Sequence, residues 1–143
     1  MADYFTNFSF IVPLANAEQQ TYALELFHQL SGIHQGEDVP AEFPDALKDV
    51  AEDAGFELDS GSDPNELWFH SSTGGIDAAC AFVQHLLQKF DSASVVTFEW
   101  SHDCSKPRTD AYGGGAAIIT AKEIRTLNTS DWLRVQTQLQ PAT

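Results

Sequence analysis

Ile76, Ala79, Cys80, Val83, Leu86, Leu87 and Phe90 recur with the 3.6-residue period of an α-helix, and no other segment restricts the fold so tightly. A helix with one apolar stripe must bury it against a sheet or a second helix. Alternation on both sides predicts a sheet. Phe8, Phe10, Val12 and Leu14 alternate with Ser9 and Ile11, and this strand stops near Pro13. Val96, Phe98 and Trp100 alternate with Val95, Thr97 and Glu99. Phe56 and Leu58, then Leu67 and Phe69, flank Ser60-Gly61-Ser62-Asp63-Pro64-Asn65, which has hairpin-loop chemistry.

A second long helix follows the first strand. Asn16 is its expected cap, with Gln19 at the capping-box position, and Gly32 its expected stop. Tyr22, Ala23, Leu26, Phe27 and Leu30 share one face. Residues 45–54 read as a shorter helix with Leu47, Val50, Ala51 and Ala54 in one stripe. Residues 115–121 read as a small-residue strand. Asn128-Thr129-Ser130 then caps a C-terminal helix that turns Trp132, Val135 and Leu139 inward. The expected fold is α+β: a ferredoxin-like βαββαβ antiparallel sheet extended by a C-terminal strand and helix. Right-handed crossovers put both main helices on one face, and the C-terminal helix is the expected cover for the other. At 143 residues the chain is read as one domain, with an acidic insertion at about 35–54.

Charge is distributed unevenly along this chain. Residues 1–88 hold fifteen Asp and Glu against one basic residue, Lys48, so the whole net charge of −14 lies there. Eleven of those carboxylates fall between Glu37 and Glu66. Such a surface repels nucleic acid and anionic membrane and attracts basic surfaces. Solubility alone needs a net charge of magnitude only about 2–8 in a small domain. The N-terminus has no basic, apolar signal, no stretch approaches the ~20 apolar residues of a membrane span, and two cysteines make no disulfide framework. These features lead to the expectation of a cytoplasmic protein with reduced thiols, no membrane contact and no direct nucleic acid contact.

Two segments concentrate the remaining chemistry. One is Trp68-Phe69-His70-Ser71-Ser72-Thr73-Gly74-Gly75; the other runs Trp100-Ser101-His102-Asp103-Cys104-Ser105-Lys106-Pro107-Arg108 to Tyr112-Gly113-Gly114-Gly115. They are similar to stretches in an uncharacterised family of small proteins from bacteria and their mobile elements, phage or plasmid. That resemblance implies a bacterial or phage context and no activity.

The expected topology brings loops 71–75 and 101–112 to one end of the sheet, two strand spacings or ~10 Å apart. Residues 35–54 lie at that end too. Four readings follow. Ser72, Thr73, Gly74 and Gly75 before a helix N-terminus, with Lys106 and Arg108, are a candidate anion site; a capped tight turn explains the same residues. Cys104 among His102, Lys106 and Arg108 is a candidate nucleophile, against an ordinary loop cysteine. His102 and Cys104 with Cys80, His70 or Asp103 offer zinc-type donors, but no metal-binding spacing appears, so neither metal nor cofactor is expected. Finally, Lys106 and Arg108 pair with carboxylates of 35–54, and the three glycines form a turn or bulge.

The leading reading is a non-enzymatic acidic binding protein that blocks a basic, nucleic-acid-binding surface of a partner protein. An anti-restriction or anti-CRISPR inhibitor, or a toxin-immunity protein, would act so. Its partner-binding candidates are Glu37, Asp38, Glu42, Asp45, Asp49, Glu52 and Asp53. The alternative is a small enzyme or ligand-binding domain with the anion site between the two loops. A homo-oligomer pairing through a sheet edge or face is the third.

Overall fold

Ten residues of β1 (Tyr4–Pro13) form the central strand of the computed structural model, which describes residues 2–141. The chain continues through α1 (Ala17–His34), α2 (Asp45–Lys48), a 3-10 turn (Ala51–Asp53), β2 (Glu57–Ser60) and β3 (Glu66–Ser71). It then forms α3 (Ile76–Phe90), β4 (Val96–Cys104), β5 (Gly113–Ile119), β6 (Ile124–Asn128) and α4 (Thr129–Gln138). The fold is α+β. The strands make one antiparallel sheet in the order β2-β3-β1-β4-β5-β6.

Strand alternation decides which side chains face the helices. Phe8, Phe10 and Val12 of β1, Leu67 and Phe69 of β3, and Phe98 and Trp100 of β4 all turn toward α1 and α3. Phe10 stacks between Phe69 at 4.8 Å and Phe98 at 4.3 Å between ring centroids. Phe82 of α3 meets the edge of this aromatic layer at Phe69 and Phe56. Ala78 and Phe82 are buried although they lie beside the expected stripe, because α2 and the 3-10 turn pack against a second side of α3.

Local signals explain the helix ends. Asn16 Oδ1 accepts from the Gln19 N–H, and Gln19 Oε1 accepts in return from the Ala15 N–H. Gly32 does not end α1. The left-handed residue is Gly36, at φ 100°, where the Gly36 N–H donates to Ile33 O and the Glu37 N–H to Gly32 O. That pair of bonds is a Schellman cap, which requires the glycine two residues past the last helical one.

Four expectations need correction. Residues 45–54 form no single helix; they split into α2 and the 3-10 turn. Asp45, Asp49 and Asp53 fall at i, i+4 spacing, where like charges destabilise an α-helix, and among the described residues Lys48 pairs only with Asp45. Residues 101–104 are strand rather than loop, because the sheet begins at Tyr4 and pairs Tyr4–Asn7 with Ser101–Cys104. The strand expected at 115–121 is displaced to 113–119, and a further strand, β6, follows it. The C-terminal helix does not cover the open face. Trp132, Val135 and Leu139 are exposed, and α4 flanks the start of α3 on the helix-bearing side. The opposite face, with Phe5, Ile11, Trp68 and Ile118, is uncovered among the described residues. No helix among them is long and apolar enough to cross a membrane.

One titratable pair sits between α1 and α3. Tyr22 Oη and His85 Nε2 share a 2.7 Å hydrogen bond. Burial, assisted by Lys89, holds the imidazole below its ordinary 6.5, and burial raises the Tyr22 phenol. An unfolded His85 gains a proton as pH falls through about 6.5, whereas the folded one resists. Its stabilising effect is thus complete above that pH and lost below it, toward the lowered folded value. His85→Gln is expected to lose less stability than the wild type when urea unfolding is compared at about pH 7 and about pH 5.5. Equal losses would exclude His85 as a source of pH dependence.

Candidate functional site

The acidic segment lies between α1 and β2. Leu47, Ala51 and Ala54 anchor it in the core, while Glu37, Asp38, Glu42, Asp45, Asp49, Glu52 and Asp53 are exposed. The few apolar anchors suffice because α2 and the 3-10 turn are short. Between them only Val50 is apolar, so Lys48, Asp49, Glu52 and Asp53 remain polar. Lys48 Nζ is 2.8 Å from Asp45 Oδ1 and holds that carboxyl below the usual range. It is the segment's one ion pair among the described residues. Lys106 and Arg108 are exposed and form no ion pair among the described residues.

Asp53 differs from its neighbours. Its Oδ2 accepts a 3.1 Å hydrogen bond from the Ala78 N–H, so an internal carboxylate occupies the N-terminus of α3. Loop 71–75 is equally engaged within the fold. The Thr73 N–H donates to Ser71 Oγ, Thr73 Oγ1 to Gly55 O, and the Gly74 N–H to Thr6 O. Ser72 is exposed, its carbonyl accepting from the Thr6 N–H. Gly74 and Gly75 line a cleft that neither Lys106 nor Arg108 reaches.

That cleft, about 620 Å³ and open to solvent, lies between α4 and the body. Trp100 and His102 from β4 form its floor, with Asp53 and Asp77 beside the start of α3 and Asp131 and Trp132 on α4. Thr6 Oγ1, 2.9 Å from His102 Nδ1, fixes the imidazole. Three carboxylates and two indoles surrounding one opening suit a cationic group, which gains from charge and from the ring faces together. Sequence reasoning missed Trp100, Asp77, Asp131 and Trp132 as neighbours. They come from three elements, and only the place of α4 joins them.

The thiols are separated. Cys80 is buried in α3, and burial, then the charges of Asp77 and Asp53, push its thiol up to about 12. Cys104 ends β4 in a half-buried position. His102 is engaged with Thr6, and Asp103 accepts from Asn7 Nδ2 at 3.2 Å. His70 points to the open face and meets Asp59 at 2.7 Å. Among the described residues, no group of three or more His, Cys, Asp or Glu is placed to hold a metal ion. A thiol-reactive disulfide reagent at neutral pH is expected to label one cysteine, Cys104, and to reach Cys80 only on unfolding. Rapid labelling of both would contradict this placement.

Gly113, Gly114 and Gly115 belong to β5, where a Cβ at Gly114 would overlap Trp100 O and one at Gly115 would overlap Leu127 O and the Trp100 ring. They allow close approach of neighbouring backbone, the usual role of glycine inside a strand. No family model, no curated protein and no solved structure matches this chain.

Proposed function

We propose that this protein binds, without catalysing a reaction, a basic surface of a partner protein and blocks it. One observation carries the reading: the carboxylates from Glu37 to Glu52 project to solvent, and among the described residues only Asp45 has a cationic partner. The −14 charge is therefore not cancelled from within at its densest stretch. A concentrated field of one sign speeds association with the opposite sign and weakens as salt screens it. The cleft supports the same reading, since Asp53 belongs both to the acidic segment and to the cleft wall. A lysine or arginine of the partner enters there, against Trp100 and Trp132.

Surfaces that bind nucleic acid are the natural targets, because they are built to receive closely spaced negative charge. In a bacterial cytoplasm, the partner is then a nuclease, a toxin or a DNA-directed defence complex. The scaffold is a ferredoxin-like βαββαβ unit with β5, β6 and α4 added; the central place of β1 between β3 and β4 supports that description.

The test is affinity capture from the native host with the protein as bait, at about 50 mM and about 500 mM salt. The expected result is a basic, nucleic-acid-binding protein retained at low salt and released at high salt. Its nucleic acid binding should fall as the acidic protein is added. A partner that holds nucleic acid and this protein together would refute blockade.

A further inference from the structure

We infer that two copies of this chain pair through β6 and α4. β6 is the outer edge of the sheet and pairs only with β5 among the described residues. The Thr120 N–H donates to Glu123 O, and the Gly114 N–H donates to Thr129 Oγ1. These bonds set the phase of the antiparallel ladder, so alternate residues of β6, Thr126 among them, turn their N–H and C=O away from β5. An edge of this kind is usually blunted or covered. Here every residue of β6 is exposed.

The same arm carries exposed apolar side chains. Ile124, Leu133 and Leu139 are exposed, from 36% at Ile124 to 69% at Leu139, and stand beside Leu127, Trp132 and Val135, which are exposed on the cleft. No residue of α4 is buried. A standard interface takes about 800 Å² from each partner. Leu133 and Leu139 of α4 and the adjoining backbone edge of β6 supply part of such an area from each copy.

Charge selects the occupant. Lys122, Arg125 and Arg134 stand against Glu123 and Asp131, so basic residues outnumber acidic ones on an otherwise strongly acidic chain. Two copies at −14 each meet here with least repulsion. A basic partner is drawn instead to the acidic segment, and nucleic acid is repelled by the whole. In a two-fold pair, β6 lies antiparallel to its counterpart and prolongs the sheet, with the two α4 helices beside each other.

Sedimentation velocity of the full chain at tens of micromolar protein tests this. The wild type is expected at twice the monomer mass, with association strengthened by salt. Thr126→Pro removes an edge N–H that β5 does not use, and Leu133→Asp/Leu139→Asp charges two exposed positions. Both variants are expected to sediment as folded monomers, with unchanged circular dichroism. A wild-type monomer, or a dimer that survives either variant, overturns the inference. Lysines at Glu42, Asp45, Asp49 and Glu52 should leave the dimer intact, which separates this surface from the acidic segment.

Discussion

Phe69→Ala is expected to lower folding stability by about 3–5 kcal/mol, the cost of emptying a large aromatic site in a core that cannot fully collapse. Phe69 has no exposed surface and lies on the middle of the sheet, in contact with Phe10, Phe56 and Phe82. Its removal takes the central ring from the layer between β1, β3 and α3. Domains of this size have a total stability of only about 5–15 kcal/mol, so the variant stands near the edge of folding. Phe5→Ala, on the uncovered face, should cost far less. Chemical denaturation of both variants measures the contrast. Similar midpoints would mean that the helix-bearing face is not the one that holds this domain together.

Gly75→Ala is expected to cost about 2–4 kcal/mol through two causes that add. Gly75 is at φ 86°, in the left-handed region, and a Cβ there would lie 3.0 Å from Phe56 N and 3.1 Å from Asp53 O. Both neighbours are backbone, which cannot swing aside. Gly74 provides the control. It has φ 97°, but a Cβ would meet nothing nearer than Thr6 Cβ at 4.0 Å. Gly74→Ala should therefore show backbone strain alone, about 1–2 kcal/mol. The difference in unfolding midpoint reads the crowding directly. It also reports on the cleft, because Gly75 holds the 3-10 turn and Asp53 against the start of α3.

How much of this was legible in the sequence depends on what each residue obeys. The stripe of α3 and the cap at Asn16 are local rules, and both appear where periodicity and cap chemistry put them. The hairpin of β2 and β3 is equally local, set by turn residues between two alternating runs. What failed depended on neighbours. Ser101-His102-Asp103-Cys104 has no strand pattern of its own; it is strand because Tyr4–Asn7 lies beside it. Ile124-Arg125-Thr126-Leu127 is too short for alternation to separate it from a loop. Trp132, Val135 and Leu139 share a helix face, but periodicity cannot say whether another element covers that face. It does not.

The acidic segment was legible as charge and opaque as geometry. Counting carboxylates predicts a surface, and the chain exposes all seven candidates. No count, however, reveals that Asp53 accepts from the Ala78 N–H while its six neighbours face solvent. Nor could spacing say that Lys106 and Arg108 would lie apart from the glycines of loop 71–75, whose donors the fold itself employs.

These placements define the most direct measurement. Glu42, Asp45, Asp49 and Glu52 are each replaced by lysine, with Asp53 kept because it caps α3. Unfolding should be little changed, since all four are exposed. The association rate with the captured basic partner, followed at low salt, is predicted to fall by about 10- to 1,000-fold, the range that electrostatic steering supplies. An unchanged rate with an intact fold would contradict the account, and the acidic segment would then be a solvated surface with no part in binding.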